Sequence, residues 1–118
     1  MANDFKRFTK ANISNNSSSP STVYTCATNK TTIVVGCMVC NKTANDVTVT
    51  VTLDTTISGQ DDARLCDALK LPANSTAELS MGKIVLTHNN TNGDAIKAFA
   101  SAASAVDVIL SILEDVNN

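Results

Sequence analysis

The sequence has no tryptophan, and its aromatic side chains are Phe5, Phe8, Tyr24 and Phe99. Surfaces that hold bases or sugars by stacking use aromatic faces, and this chain has few to offer. It has one histidine, His88, in a polar stretch, so a Ser-His-Asp relay would have to be built on that residue. No G-x-S-x-G turn marks a strained nucleophile. The glycines Gly36, Gly59, Gly82 and Gly93 stand apart, which excludes a phosphate-cradling loop. Excess positive charge is also missing: the formal net charge is −2, whereas nucleic-acid binders carry a basic field. Lys6, Arg7 and Lys10 are the one basic cluster. No apolar run reaches the roughly eighteen residues of a membrane-spanning helix. Asp4, Lys6, Arg7 and Lys10 interrupt any secretory apolar core near the start, so residence in a cytoplasm is expected.

What is present is a β pattern. Asp46-Val-Thr-Val-Thr-Val-Thr-Leu-Asp54 alternates without a break, placing Val47, Val49, Val51 and Leu53 on one face and Thr48, Thr50 and Thr52 on the other. A side-chain period of two is that of a strand with one face in a core. The chain has 118 residues, the length of one ordinary domain, and 43% of them are apolar. With so few aromatics, the core is expected to be built from Val, Ile, Leu and Ala.

Strands are also expected at residues 22–26 and 32–40, with Asn29-Lys30 turning the chain between them. The polar stretch 41–46 is expected to close a hairpin onto the Val/Thr strand. Residues 63–71 fit a helical turn or a strand, and Pro72 ends either. Short strands are expected at 76–81 and 83–87, around Gly82. Asn92-Gly93 is a strong turn dipeptide. Residues 96–113 carry two conflicting signals. Ile96, Phe99, Ala103, Val106, Leu110 and Leu113 form a helical stripe, while Val106, Val108, Leu110 and Ile112 alternate as in a strand.

Residues 1–21 read as an N-terminal arm and linker, and 22–118 as the domain. The Ser/Asn-rich stretch 14–21 has the composition of a tether. The arm is a frayed terminus or a docking device. In the second case Phe5 and Phe8 enter apolar pockets of a partner, and Lys6, Arg7 and Lys10 meet acidic groups.

Cys26, Cys37, Cys40 and Cys66 read as free buried thiols. Cys37-Met-Val-Cys40 has C-x-x-C spacing, which also occurs in zinc and redox sites. On a strand, however, those two thiols point to opposite faces. The carboxylate pairs Asp61-Asp62 and Glu114-Asp115 read as a solvated loop and a polar strand end. No catalytic residue, metal site or cofactor is assigned.

Asp4-Phe-Lys-Arg-Phe-Thr-Lys10, Leu71-Pro-Ala-Asn-Ser-Thr-Ala-Glu-Leu79 with Lys83-Ile-Val-Leu86, and Gly93-Asp-Ala-Ile-Lys-Ala98 with Ala102-Ala-Ser-Ala-Val-Asp-Val-Ile-Leu-Ser-Ile-Leu-Glu114 carry a resemblance. Together they resemble the small virion structural proteins of tailed phages, especially T4-like cyanophages. The sequence departs from that pattern in its Asn-rich 88–92 loop and at Cys66. The resemblance implies a small all-β antiparallel β-sandwich, jelly-roll-like or Ig-like, with an extended N-terminal arm. It also implies that 96–100 and 105–113 are paired strands. By the same resemblance the chain is no enzyme. It is made in the host bacterial cytoplasm and sits on the virion as a capsid decoration or cement protein, or a neck or tail accessory. Its partners are then the major capsid or neck and tail proteins and further copies of itself, by analogy a trimer, with no nucleic acid or membrane. A host-surface or glycan-binding module is the other reading, with loops 58–62 and 88–92 as its contact surface.

Overall fold

Val47, Val49 and Val51 are buried, as a two-residue period requires, and the sheet they belong to packs against a second one. A computed structural model of the chain describes residues 3–79, 83–88 and 91–116. Among them there are strands and no helix: β1 (Asn3–Lys10), β2 (Ser21–Thr25), β3 (Lys30–Asn41), β4 (Val47–Asp54), β5 (Ala63–Leu71), β6 (Thr76–Leu79), β7 (Ile84–Leu86), β8 (Ala95–Ala100) and β9 (Val106–Val116). The first sheet runs β1-β9-β3-β6, with β7 beside β6 on the same flank of β3. The second runs β2-β8-β4-β5. Every pairing is antiparallel.

The pairs β1:β9, β2:β8, β3:β6 and β4:β5 nest like the rungs of one long hairpin. That hairpin rolls up so that β9 also meets β3 and β8 also meets β4. This is the plan of a jelly roll, a two-sheet sandwich built from Greek keys, with β7 as an extra short strand. Its core is aliphatic, as the composition requires: Val34, Val39, Leu110 and Ile112 from the first sheet meet Val49, Val51, Ile96 and Ala98 from the second.

Rolling up changes which neighbours pair. β3 and β4 lie in different sheets, so residues 41–46 form a crossing between layers and not the expected hairpin. Asn41 organises it, fully buried, with its side-chain amide donating to the carbonyls of Asn45, Leu71 and Pro72. β8 and β9 are strands, which resolves the helix conflict, but they too belong to opposite sheets and do not pair. A turn signal marks a reversal of direction, not the partner the chain reverses onto. Of the short strands expected at 76–81 and 83–87, β6 and β7 are seen, while residues 80–82, Gly82 among them, lie outside the described residues.

Residues 3–10 differ most from expectation. They are no arm: Asn3–Lys10 pairs with β9 over its whole length as the edge strand of the first sheet. The tether that follows is stitched down. Ile13 is buried and its N–H donates to the Val106 carbonyl at 3.0 Å, and the Ser14 carbonyl accepts from the Ala100 N–H at 2.8 Å. The boundary expected after residue 21 therefore falls inside β2, a strand of the same sandwich.

Three strands carry irregularities, the first being β2, whose register against β8 shifts between Thr22 and Tyr24. The register of β3 against β9 shifts between Val34 and Gly36, so Thr32 and Val34 point inward before the bulge and Cys37 and Val39 after it. β5 is a strand, with its register broken against β4. Ala68 sits there at φ 52°, and its N–H donates to Thr50 Oγ1 at 3.0 Å. A Cβ in this left-handed region costs roughly 1–2 kcal/mol, more than glycine loses in unfolded-state entropy. Ala68→Gly is therefore expected to raise the melting temperature by about 2–4 °C. Thermal unfolding followed by circular dichroism reads this directly, and a lowered midpoint would show that the methyl group packs more than it strains.

Candidate functional site

The five residues expected to form a docking arm divide by strand parity. Phe8 turns inward and packs on Tyr24 with ring centroids 4.7 Å apart. Lys6, on the same face, donates to Glu114 Oε1 at 2.8 Å. Phe5 and Arg7 point outward, and Phe5 is 79% exposed. Lys10 is exposed at the strand's end. So Phe8 and Lys6 hold β1 to its own domain, while Phe5 and Arg7 face whatever lies outside.

Phe5 is not isolated. Register places it beside Leu113, Leu113 beside Ile33, and Ile33 beside Val85, an unbroken apolar row across β1, β9, β3 and β7. Two residues along the strands, Arg7 and Ser111 flank the bulge that lifts Val35 outward. Two further on, Thr9, Ile109, Met38 and Glu78 form the next row. Among the described residues, Phe5, Val35, Met38, Val85 and Ile109 account for all but Ile57 of the exposed large apolar side chains, and all five share this one face. With strands about 4.8 Å apart and a rise of about 3.4 Å per residue, the patch measures roughly 15 by 14 Å.

The opposite outer face, on the second sheet, is polar. Thr48, Thr52 and Asp54 of β4 and Lys97 and Phe99 of β8 line shallow grooves there, with the 15–20 loop and Arg64 as walls. Lys97 pairs with Asp54 at 2.9 Å and Arg64 with Asp67 at 2.5 Å. At one end the two loops expected as an adhesin surface come together. Asp62 accepts from the Thr55 N–H at 2.8 Å, the Asn92 carbonyl oxygen lies 3.4 Å from Thr56 Oγ1, and these residues line one shallow groove.

Two buried carboxylates hold the scaffold. Glu114, read from sequence as part of a polar strand end, is 3% exposed. It accepts from Lys6 at 2.8 Å, Lys30 at 3.0 Å and the Tyr24 hydroxyl at 2.9 Å, and Tyr24 also meets Thr32 Oγ1 at 2.8 Å. The Lys6 hydrogen bond, aided by Lys30 and Tyr24, outweighs burial and pulls its pKa down to about 2, while Glu114 raises that of Lys6. Burial pushes the Asp94 carboxyl up, but the N–H and hydroxyl donors of Thr56 and Thr87 outweigh it and the net direction is down. Sequence reasoning missed both, because nothing local separates a strand-end Glu or a loop Asp that is buried from one that is solvated.

Cys37 lies in the core with its thiol pushed up to about 12 by burial, and Cys40 points to the other face of β3, half-buried. His88 forms an isolated bridge with Gly93, which itself lines the groove that holds Asp54 and Lys97. Among the described residues no three His, Cys, Asp or Glu side chains come together as metal ligands. No family model, curated protein or solved structure matches this chain.

Proposed function

We propose that this chain is a structural protein of a tailed-phage virion, a capsid decoration or cement protein or a neck or tail accessory. It joins other virion proteins through the outer face of its first sheet. The observation that carries this reading is the apolar row Phe5–Leu113–Ile33–Val85 with Val35, Met38 and Ile109 around it. Apolar patches of this kind are where proteins meet proteins. The sequence resemblance supplies the particle, and jelly rolls recur in viral capsid domains, an analogy of fold that raises the prior without assigning the role. A standard interface covers about 800 Å² on each partner, so a patch of this size forms its dry centre and the polar residues around it form the rim.

The test uses phage particles carrying a tagged copy. Phe5→Asp with Val85→Asp places charge on two exposed positions and leaves the fold intact. Incorporation is expected to fall at least tenfold, the effect of about 1.4 kcal/mol, because central apolar anchors dominate binding. Asp62→Ala, on the opposite side, should incorporate normally. Equal incorporation of the double variant, Asp62→Ala and the unmodified chain would move the contact elsewhere.

The polar grooves of the second sheet favour one other reading, a virion-exposed module for host surface or glycan. Glycan-array binding that survives Phe5→Asp and disappears with Asp62→Ala and Lys97→Ala would transfer the function to that face.

A further inference from the structure

β1 ends its sheet, and among the described residues the edge turned away from β9 receives no strand and no backbone bond from a loop. Such edges add strands, and natural proteins guard them with charge. Here the guarding charges fit a partner of the same sequence. When two copies of β1 pair antiparallel in one continuous sheet, residues on the inner face must meet residues on the inner face, so the two-fold axis passes through a residue and not between two. With strands of residues 3–10, the axis can sit at residue 5, 6, 7 or 8 and keep five or more residues of each copy paired. At Lys6 or Arg7 it sets a cation against its own copy. At Phe8 it sets Lys6 against Lys10. At Phe5 it sets Phe5 against Phe5 and Asp4 against Lys6 twice, with no like charges opposed.

We infer that β1 pairs with β1 of a second copy of this chain, about a two-fold axis at Phe5. The most exposed large apolar residue is then covered by its own image. The Lys6 ammonium has three donors, so it can hold Glu114 of its own chain and Asp4 of the other. The apolar row of each copy joins the other at Phe5, doubling the face offered to a further partner. The pairing is isologous and closed. It concerns the isolated chain and stands whether or not the virion reading does. The interface is small, so association is expected to be concentration-dependent, with a Kd roughly in the micromolar range.

Sedimentation velocity over a concentration series should show monomer passing to dimer. Phe5→Cys should form a disulfide-linked dimer under mild oxidation, with peptide mapping locating the link between the two introduced thiols, since directly opposed Cβ atoms lie about 5 Å apart. Thr9→Cys lies four residues off the axis and should not cross-link. Asp4→Lys should weaken dimerisation tenfold or more. A monomer throughout the series, a trimer, or equal cross-linking of the Phe5→Cys and Thr9→Cys chains would overturn the inference. The unmodified chain alone decides the first two.

Discussion

Gly93→Ala is expected to remove about 3–5 kcal/mol of stability, much of what a domain this size possesses. The reason is contact, not backbone torsion. A Cβ at Gly93 would stand 2.1 Å from the carbonyl oxygen of Cys26, 3.0 Å from its carbon and 3.2 Å from Cδ2 of His88. The carbonyl is main chain and cannot swing aside. The neighbouring bonds keep the two segments together: Cys26 N–H donates to the Asp94 carbonyl at 2.8 Å, and Asp94 N–H donates to the Thr87 carbonyl at 2.8 Å. Relief of the clash therefore breaks the seam between the start of β8, the end of β2 and the 86–88 segment. Gly36→Ala is the control. Its Cβ would meet only Ser111 Cβ at 3.9 Å, ordinary van der Waals contact, and the expected change is under about 1 kcal/mol. Urea unfolding of both variants measures the contrast. Equal midpoints for Gly93→Ala and the unmodified chain would show that the β2–β8 approach opens freely.

The same seam shows how far sequence could lead. Asn92-Gly93 announces a turn, and there is a bridge there, but the need for glycine comes from Cys26, distant in sequence. The strand content was legible because Val and Thr alternate in β4, and Val, Leu and Ile recur at every second position in β9. The layer to which each strand belongs was not, because rolling up the long hairpin sends consecutive strands to opposite sheets without altering any local period. β1 is hidden for a related reason. Phe5 and Phe8 are three apart, so they show no shared strand face, and the strand exists through eight residues of register with β9 near the other end of the chain. The candidate face is hidden in the same way. Val35 and Val85 lie in apolar runs that look like core, and only the β3 bulge and the Ile33–Val85 pairing turn them outward beside Phe5. Phe5 was the one member whose exposure could be read directly.

Glu114 gives the second large effect, and it depends on pH. Its carboxyl is held down at about 2, against 4.5 for an unperturbed glutamate. A carboxylate with a depressed folded-state pKa contributes its full stability above the unfolded value, near pH 4.5, and loses it progressively as the pH falls toward 2. At about 1.36 kcal/mol per unit the contribution is about 3 kcal/mol at neutral pH, reduced to about 2 kcal/mol because Lys6 is part-exposed and its attraction is screened. Glu114→Gln keeps the shape and loses the charge. At pH 7 it is expected to be less stable by about 2–3 kcal/mol, since two lysines lose their counter-ion and the Tyr24 hydroxyl loses an ionised acceptor. The difference should shrink between pH 4.5 and 2 and nearly vanish at its acid end. The other carboxylates are common to both chains and cancel in the subtraction. Denaturant unfolding of the two proteins at a series of pH values provides the measurement. A gap that stays constant down to about pH 2 would mean that the glutamate acts through packing alone. Because this carboxylate ties Lys6 of β1 to Lys30 of β3 and Tyr24 of β2, the loss should begin at the edge strand. Amide exchange in β1 is then expected to accelerate before exchange in β3, and the surface built around Phe5 should fail in acid ahead of the core.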